Sequence, residues 1–232
     1  RSPEARALCL ARFAHHELMA VELFAWALLR WPDLPAGLRA EWLQIVTDEQ
    51  RHCRLYLERL RDLGFELARF APHSGYFWRQ APAIAASPHG ARAFLAAMGL
   101  TLEQANLDFT LTYRDGFAEA GDLESAAVCQ RVHDDEVAHV ALAVRWLERL
   151  DTPERSEQAP ADSARDLEAY LAAVPFPLGP ARAKGRRFEV TPRRRAGLSE
   201  AMIEHVRVAR SSQERGRASG TESPGATKTP PA

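Results

Sequence analysis

The sequence predicts an all-α protein: an antiparallel bundle of four long helices over residues 1–150, followed by a helical and extended arm over 151–210 that packs on it. Three observations carry this. Apolar residues recur every three to four positions through four long stretches, turn chemistry separates those stretches, and no stretch alternates convincingly as a strand would. Successive long helices joined by tight turns pack antiparallel.

The first helix runs from about Pro3 to Arg30, with Phe13, Glu17, Ala20, Val21, Phe24 and Leu28 at helical spacing, and Trp31-Pro32-Asp33-Leu34-Pro35 ends it. The second, roughly Ala36 to Leu63, carries Trp42, Ile45, Glu49, Cys53, Tyr56 and Leu60 on one stripe, with Gly64 as its stop. Residues 65–90 combine Pro72, Gly75, Pro82 and Pro88 with Phe70, Tyr76, Phe77 and Trp78. Turn formers plus aromatic anchors predict an ordered loop lying over the bundle. The third helical region, Ala91 to about Ala120, places Leu95, Gly99, Leu100, Glu103 and Leu107 on one face. Polar and β-branched residues between Asn106 and Thr110 predict a kink there. After Gly121-Asp122 the fourth helix reaches about Leu150, with Val128, Val132, Glu136, His139, Val140 and Ala143 in register. Beyond Asp151 come a polar spacer, a helix from Ser163 to Val174, a Pro- and Arg-rich segment to Gly197 and a short helix from Leu198 to about Arg210. Residues 211–232 are too poor in apolar side chains to fold, which predicts a disordered tail.

With 232 residues, 46% of them hydrophobic, the chain can bury a core without covalent staples. A net charge of −1 implies no general attraction to nucleic acid or anionic membrane. Cys9, Cys53 and Cys129 are odd in number and scattered, which fits a reducing compartment, with the cytoplasm as the default. The apolar stretch Leu18 to Leu29 is too short to span a bilayer and contains Glu22. The sequence opens on Arg1 rather than methionine, which leaves room for a preceding segment.

Charge inside the apolar stripes points to chemistry. Asp48-Glu49-Gln50-Arg51-His52 and Asp135-Glu136-Val137-Ala138-His139 each put a carboxylate and an imidazole three residues apart, hence on one helix face. Residues equally far from a tight turn lie at the same height in a helical hairpin. The midpoint between Glu17 and Glu49 is residue 33, inside the first turn, and Glu103 and Glu136 are centred on 119–120, beside Gly121. Glu22 would instead face Gln44, more than a turn away. The candidate site is therefore Glu17, Glu49, His52, Glu103, Glu136 and His139. Buried together, these carboxylates must be protonated or bind cations, and two divalent ions balance four carboxylates. Mixed oxygen and nitrogen donors suit iron or manganese, and affinity alone does not exclude zinc. Asp48 and Asp135 are placed to hold the far nitrogen of an imidazole, crossing between the halves: Asp135 towards His52, Asp48 towards His139.

At these six positions the chain resembles the ferritin-like di-metal carboxylate proteins, with one Glu on each of two helices and Glu-x-x-His on the other two. More closely, Ala14-His15-His16-Glu17-Leu18-Met19-Ala20-Val21-Glu22-Leu23, Asp135-Glu136-Val137-Ala138-His139-Val140 and Arg193-Arg194-Arg195-Ala196-Gly197-Leu198-Ser199-Glu200 are similar to stretches of the ferritin-like domain-of-unknown-function family 455. Asp48 departs from the Glu often found there, and His16 from an aliphatic residue. The resemblance covers about residues 5 to 205 and implies a ferritin-like bundle with a dinuclear site; the family supplies no substrate.

Blander readings compete at each position. A single Glu-x-x-His run is usually an exposed helical pair, but two runs in apolar stripes, each levelled with a glutamate, favour metal. Glu22 fits a buried partner for Arg30 or His15 as well as a channel residue; His15 and His16 read as core or rim residues, Cys53 as core filler, and Tyr56 as a packed tyrosine within reach of a metal-bound oxygen. The basic cluster from Arg182 to Arg195 reads as salt pairing of the arm against the bundle rather than as a nucleic-acid surface. The functional expectation is a di-iron oxidoreductase that uses dioxygen or peroxide to oxidise an organic substrate, its partners being that small molecule and an electron donor, with no membrane span; a homodimer is compatible with it. The alternatives are an iron-handling or peroxide-scavenging protein and a bundle that metal merely stabilises.

Overall fold

The computed structural model describes residues 2–72, 75–151 and 165–210, Asp151 by its backbone alone, and the described residues are all-helical, without a strand. Helix α1, Pro3–Arg30, starts where the Ser2 hydroxyl accepts a hydrogen bond from Ala5 N at 3.3 Å and Pro3 presets the first turn. Helix α2, Ala36–Asp62, follows the Pro-rich turn and ends before Gly64, whose φ of +81° an L side chain would rarely adopt.

The segment expected as a loop contains two single 3₁₀ turns, Leu67–Arg69 and Trp78–Gln80, and a short helix α3, Ala81–Ala86. Its aromatic residues divide. Phe70 packs near Phe65, the Tyr76 ring lies under Arg182 of the arm, and Trp78 Nε1 donates to Glu22 Oε2 at 2.7 Å. Glu22 is therefore exposed and holds the loop, rather than pairing in the core.

The third long helical stretch begins as α4, Ala91–Phe94, runs as a π-helix over Leu95–Glu103, and returns to α-helix as α5, Gln104–Glu119. The expected kink between Asn106 and Thr110 is not where the irregularity lies. It falls one to three turns earlier, in a segment that is buried throughout. Gly99 explains part of this, because a Cβ there would stand 2.3 Å from the Ala143 Cβ on the facing helix. A Thr101 hydroxyl that donates to Ala96 O at 2.8 Å, and meets the Tyr170 hydroxyl at 2.9 Å, anchors the wide turn from its buried side. Helix α6, Leu123–Asp151, is capped by Asp122, whose Oδ1 accepts from Ser125 N at 3.1 Å.

Packing follows the turns. Helix α1 lies along α2, the π-helix and α5 lie along α6, and α2 and α6 join the two hairpins. Two apolar clusters fill the interior. One gathers Phe24, Trp42, Phe94, Met98, Val140 and Trp146; the other gathers Leu10, Tyr56, Leu60, Phe117, Cys129 and Val132. Glu17, Glu49 and Glu136 each fall where one cluster gives way to the other along their helix, and Glu103 lies between Leu102 and Leu107 of the first. The polar site thus lies at mid-height, walled by apolar residues above and below.

The arm carries helices where two were expected, α7, Asp166–Ala173, and at its end α9, Glu200–Val208, and the Pro- and Arg-rich segment between them adds a 3₁₀ turn at Pro180–Arg182 and a short helix α8, Val190–Arg195. Tyr170, Ala196, Met202 and Val206 join the first cluster, so the arm completes the core. Asp166 ties its two ends together by accepting from Ser199 N at 2.8 Å and Ser199 Oγ at 2.6 Å. The expected spacer and disordered tail lie outside the described residues, as do Ser163 and Ala164 of the expected helix. No helix among the described residues is long and apolar enough to cross a membrane.

Candidate metal centre

Glu17 from α1, Glu49 and His52 from α2, Glu103 at the end of the π-helix, and Glu136 and His139 from α6 converge in the interior, none more than 6% exposed. They form two overlapping groups, Glu17 with Glu49, His52 and Glu136, and Glu103 with Glu49, Glu136 and His139. In each group one donor atom per residue lies within 4.8 Å of all the others. Glu49 and Glu136 belong to both groups, so the two groups adjoin through these carboxylates.

The donors are short of partners. Glu49 Oε1, Glu136 Oε2 and His139 Nδ1 are buried without a hydrogen bond, although His139 Nδ1 stands 3.1 Å from Glu49 Oε1 and 3.5 Å from Glu136 Oε2. Orphaned buried polar atoms are costly and rare. Three of them directed at one another fit a site whose remaining valence a cation would satisfy.

Proton distribution reports the same strain. Burial pushes the Glu17 carboxyl well above the usual range, reinforced by the charges of Glu49, Glu136 and Glu103. Burial does the same to Glu103, helped by Glu136 and Glu49. Burial also opposes ionisation of Glu49, but the adjacent His139 and His52 imidazoles outweigh it and hold this carboxylate far down. His52 and His139 are raised despite burial, His52 chiefly by Glu49, and His139 by Asp48, Glu136 and Glu49. Without a cation, protons supply the positive charge.

The outer nitrogens are held from across the site. His52 Nε2 lies 2.9 Å from Asp135 Oδ2, and its Nδ1 faces Glu49 at 3.3 Å. His139 Nε2 lies 3.5 Å from Asp48 Oδ2, a looser contact, with Nδ1 again inward. A carboxylate on the outer nitrogen fixes the ring and leaves the inner one to act as donor. The residue that ties these supports together is Arg51: Nη1 lies 2.8 Å from Asp48 Oδ1 and Nη2 2.9 Å from Asp135 Oδ2. Reading the Glu49 to His52 run only at its ends passed over Arg51, although a cation between two acidic-led runs was the available signal.

Asn106 was also passed over. Its Nδ2 donates to Glu136 Oε1 at 3.1 Å and approaches Glu103 Oε2 at 3.5 Å. One turn on, the Thr110 hydroxyl meets the buried His133 Nδ1 at 3.0 Å.

Beside the carboxylates lies a cavity of about 180 Å³. Glu17, Glu103 and Asn106 form its polar side, and Phe13, Tyr56, Phe77, Phe109 and Tyr113 supply aromatic walls. Neither His52 nor His139 lines it, so it reaches the two glutamates that belong to one group each. Phe77 is the part of the aromatic loop that reaches it, stacked on His16 at 5.7 Å between centroids. Tyr56 contributes its wall within the second apolar cluster, and burial raises its phenol well above the ordinary value.

Fold and site define an all-helical protein with a buried carboxylate and imidazole centre capable of holding metal. The model of the family described as "Protein of unknown function (DUF455)" matches residues 1–204, and the chain belongs to that family. An uncharacterized protein of Haemophilus influenzae is 29% identical over 154 residues, covering 63% of this chain. The chain spans about half (52%) of that relative's length. No solved structure matches the chain.

Proposed function

We propose that the chain is a ferritin-like di-metal carboxylate protein whose two helical hairpins form a four-helix bundle around two ions, with iron the metal its donors suit best. Glu17 and His52 would serve one ion, Glu103 and His139 the other, with Glu49 and Glu136 between them. The observation that carries this reading is the pair of four-residue groups sharing two carboxylates. Two clustered divalent ions neutralise the four carboxylates, and the mixed oxygen and nitrogen donors fit iron or manganese.

The activity we propose is two-electron oxidation of an organic substrate. An iron pair, when bound, supplies activation of dioxygen or peroxide, and an external electron donor restores it. The chain's own groups arrange the rest. Asp135, Asp48 and Arg51 orient the imidazoles, Asn106 orients Glu136, and the aromatic walls around Phe13 and Tyr113 admit an apolar molecule while excluding bulk water. A cavity of this kind at Glu17 and Glu103 favours an enzyme over an iron store, which has no use for an organic pocket.

The test is aerobic loading with ferrous iron, elemental analysis, and Mössbauer spectroscopy of the product. The expected result is two irons per chain with the signature of a coupled ferric pair, lost in a Glu49→Ala, Glu136→Ala variant that remains helical. Equal iron content in the two proteins would overturn the proposal.

A further inference from the structure

One ring is shared by the inner cavity and the clefts outside it. Phe109, on α5 and 42% exposed, lines the cavity beside Glu17 and Glu103, and it also lines two open clefts between α5 and the arm. The larger cleft, about 740 Å³, is bordered by Lys184, Arg186, Arg207 and Arg210 and by no carboxylate among the described residues.

These cations are not equally committed. Arg207 makes two hydrogen bonds of 2.8 Å to Glu204, and Lys184 Nζ donates to Arg207 O at 2.5 Å. Arg187 pairs with Asp115 and Glu189. Arg186 borders both clefts and makes no hydrogen bond or ion pair among the described residues. Its place is nonetheless fixed. Gly185 N donates to the buried Asp108 Oδ2 at 2.9 Å, one residue from Phe109. The absence of a side chain at Gly185 brings the two segments together, since a Cβ there would lie 3.1 Å from Asp108 Cβ and 3.4 Å from Phe109 Cε1. The fold therefore holds an uncommitted guanidinium beside the ring that walls the cavity.

Size and charge define what would fill both spaces. A cavity of about 150 Å³ suffices for benzene, so the inner one takes an apolar end of about a single ring. A guanidinium at the mouth binds an oxyanion through paired N–H donors. We infer that the substrate is an amphipathic organic anion, its apolar end against Glu17 and Glu103, and its phosphate or carboxylate group outside Phe109 on Arg186. This rests on the proposed oxidation at the same site and adds the class of molecule oxidised.

The experiment titrates the full-length, metal-loaded chain with ω-phenylalkyl phosphates carrying zero to six methylenes, and with the matching neutral alcohols, by calorimetry. At the best chain length the phosphate should bind at least tenfold more tightly than its alcohol. That ratio should fall to near one in Arg186→Ala and partly return in Arg186→Lys, with metal content unchanged. Equal affinity for phosphate and alcohol, an unchanged ratio in Arg186→Ala, or no binding of either series at millimolar concentration would overturn the inference. Metal content is measured on the same samples. A chain that holds two metals yet ignores the phosphates refutes the substrate class alone, whereas one that binds the phosphates but never takes up metal refutes the proposed oxidation.

Discussion

The clearest perturbation lies away from the carboxylate centre, at the buried pair that fastens the arm. Asp108 and Arg193 are both fully buried and meet in two parallel bonds, Nη1 to Oδ1 at 2.6 Å and Nη2 to Oδ2 at 2.9 Å. Asp108 also accepts from Gly185 N at 2.9 Å and Glu189 N at 2.8 Å, while Arg193 donates to Glu189 O at 2.7 Å and Ala183 O at 2.9 Å. The guanidinium lies 3.9 Å from the centre of the Phe188 ring. Asp108→Ala leaves a buried cation and two backbone N–H groups without this acceptor; Arg193→Ala leaves a buried carboxylate and three carbonyls, those of Glu189, Ala183 and Gln104. Removing one partner of such a pair costs about 3–5 kcal/mol. In a chain of this size each kcal/mol moves the midpoint by roughly 2–4 °C, so a fall of about 6–20 °C is expected. Because the penalty comes from the charge left behind, the apolar double variant Asp108→Leu, Arg193→Met should lose less than the two single losses added together. Thermal unfolding followed by circular dichroism measures all four proteins. Single variants within about 1 kcal/mol of the parent, or a strictly additive double variant, would refute the reasoning, because the pair would then be solvated or its network replaceable.

Two further outcomes follow from the geometry. Gly99→Ala drives a methyl to 2.3 Å from the Ala143 Cβ, so the π-helix must separate from α6; overpacking of this kind costs about 1–3 kcal/mol, and the double variant Gly99→Ala, Ala143→Gly should recover part of it in urea unfolding. Without metal, Glu17, Glu103, His52 and His139 have folded-state pKa values raised above those of the unfolded chain, Glu17 and Glu103 by burial and the histidines by their carboxylate partners. Raised groups stabilise the fold at low pH and lose that contribution as pH rises, whereas Glu49, held low, acts in the opposite sense. With four groups against one, and with a bound cation displacing those protons, divalent metal should raise the melting temperature more at pH 8 than at pH 6; equal increments at both pH values would contradict this.

The parts of the centre visible in the sequence were those that local rules place. Helical spacing puts Glu49 beside His52 and Glu136 beside His139, and equal distance from a tight turn brings Glu17 to Glu49, because both rules act within one hairpin. The same equal-distance rule picks out Glu103, yet the helix carrying it is π-wound for nine residues, a winding the rule ignores. Its cause lies in contacts remote in sequence, Gly99 on Ala143 and Thr101 on Tyr170, and no local pattern encodes those. Arg51, Asn106 and the cavity share that character. Arg51 and the cavity depend on how the two hairpins dock, and Asn106 on side-chain geometry across the second one, neither of which helical spacing specifies. Which arginine of the arm makes the expected salt pairing is hidden for a similar reason. In the run Arg193-Arg194-Arg195, Arg193 is fully buried while Arg194 pairs on the surface with Glu200, and only the partner Asp108 on α5 decides which arginine turns inward.

The arm grips the helical stretch that carries Glu103. Tyr170 from α7 meets Thr101, the residue whose hydroxyl closes on Ala96 O, and Arg193 from α8 reaches Gln104 O at 3.4 Å as well as Asp108. These contacts grip the chain two residues before Glu103, one residue after it and a turn beyond it. A wide helical turn is under-bonded on its own and holds its register only where side chains or neighbouring elements supply the missing partners. Release of the arm would therefore let the Leu95–Glu103 segment relax towards α-helix. Residues N-terminal to the relaxed turn would then rotate relative to α5, which would carry Gly99 and Thr101 away from Ala143 and Tyr170. The family match through residue 204 takes in both the arm and the helix it grips.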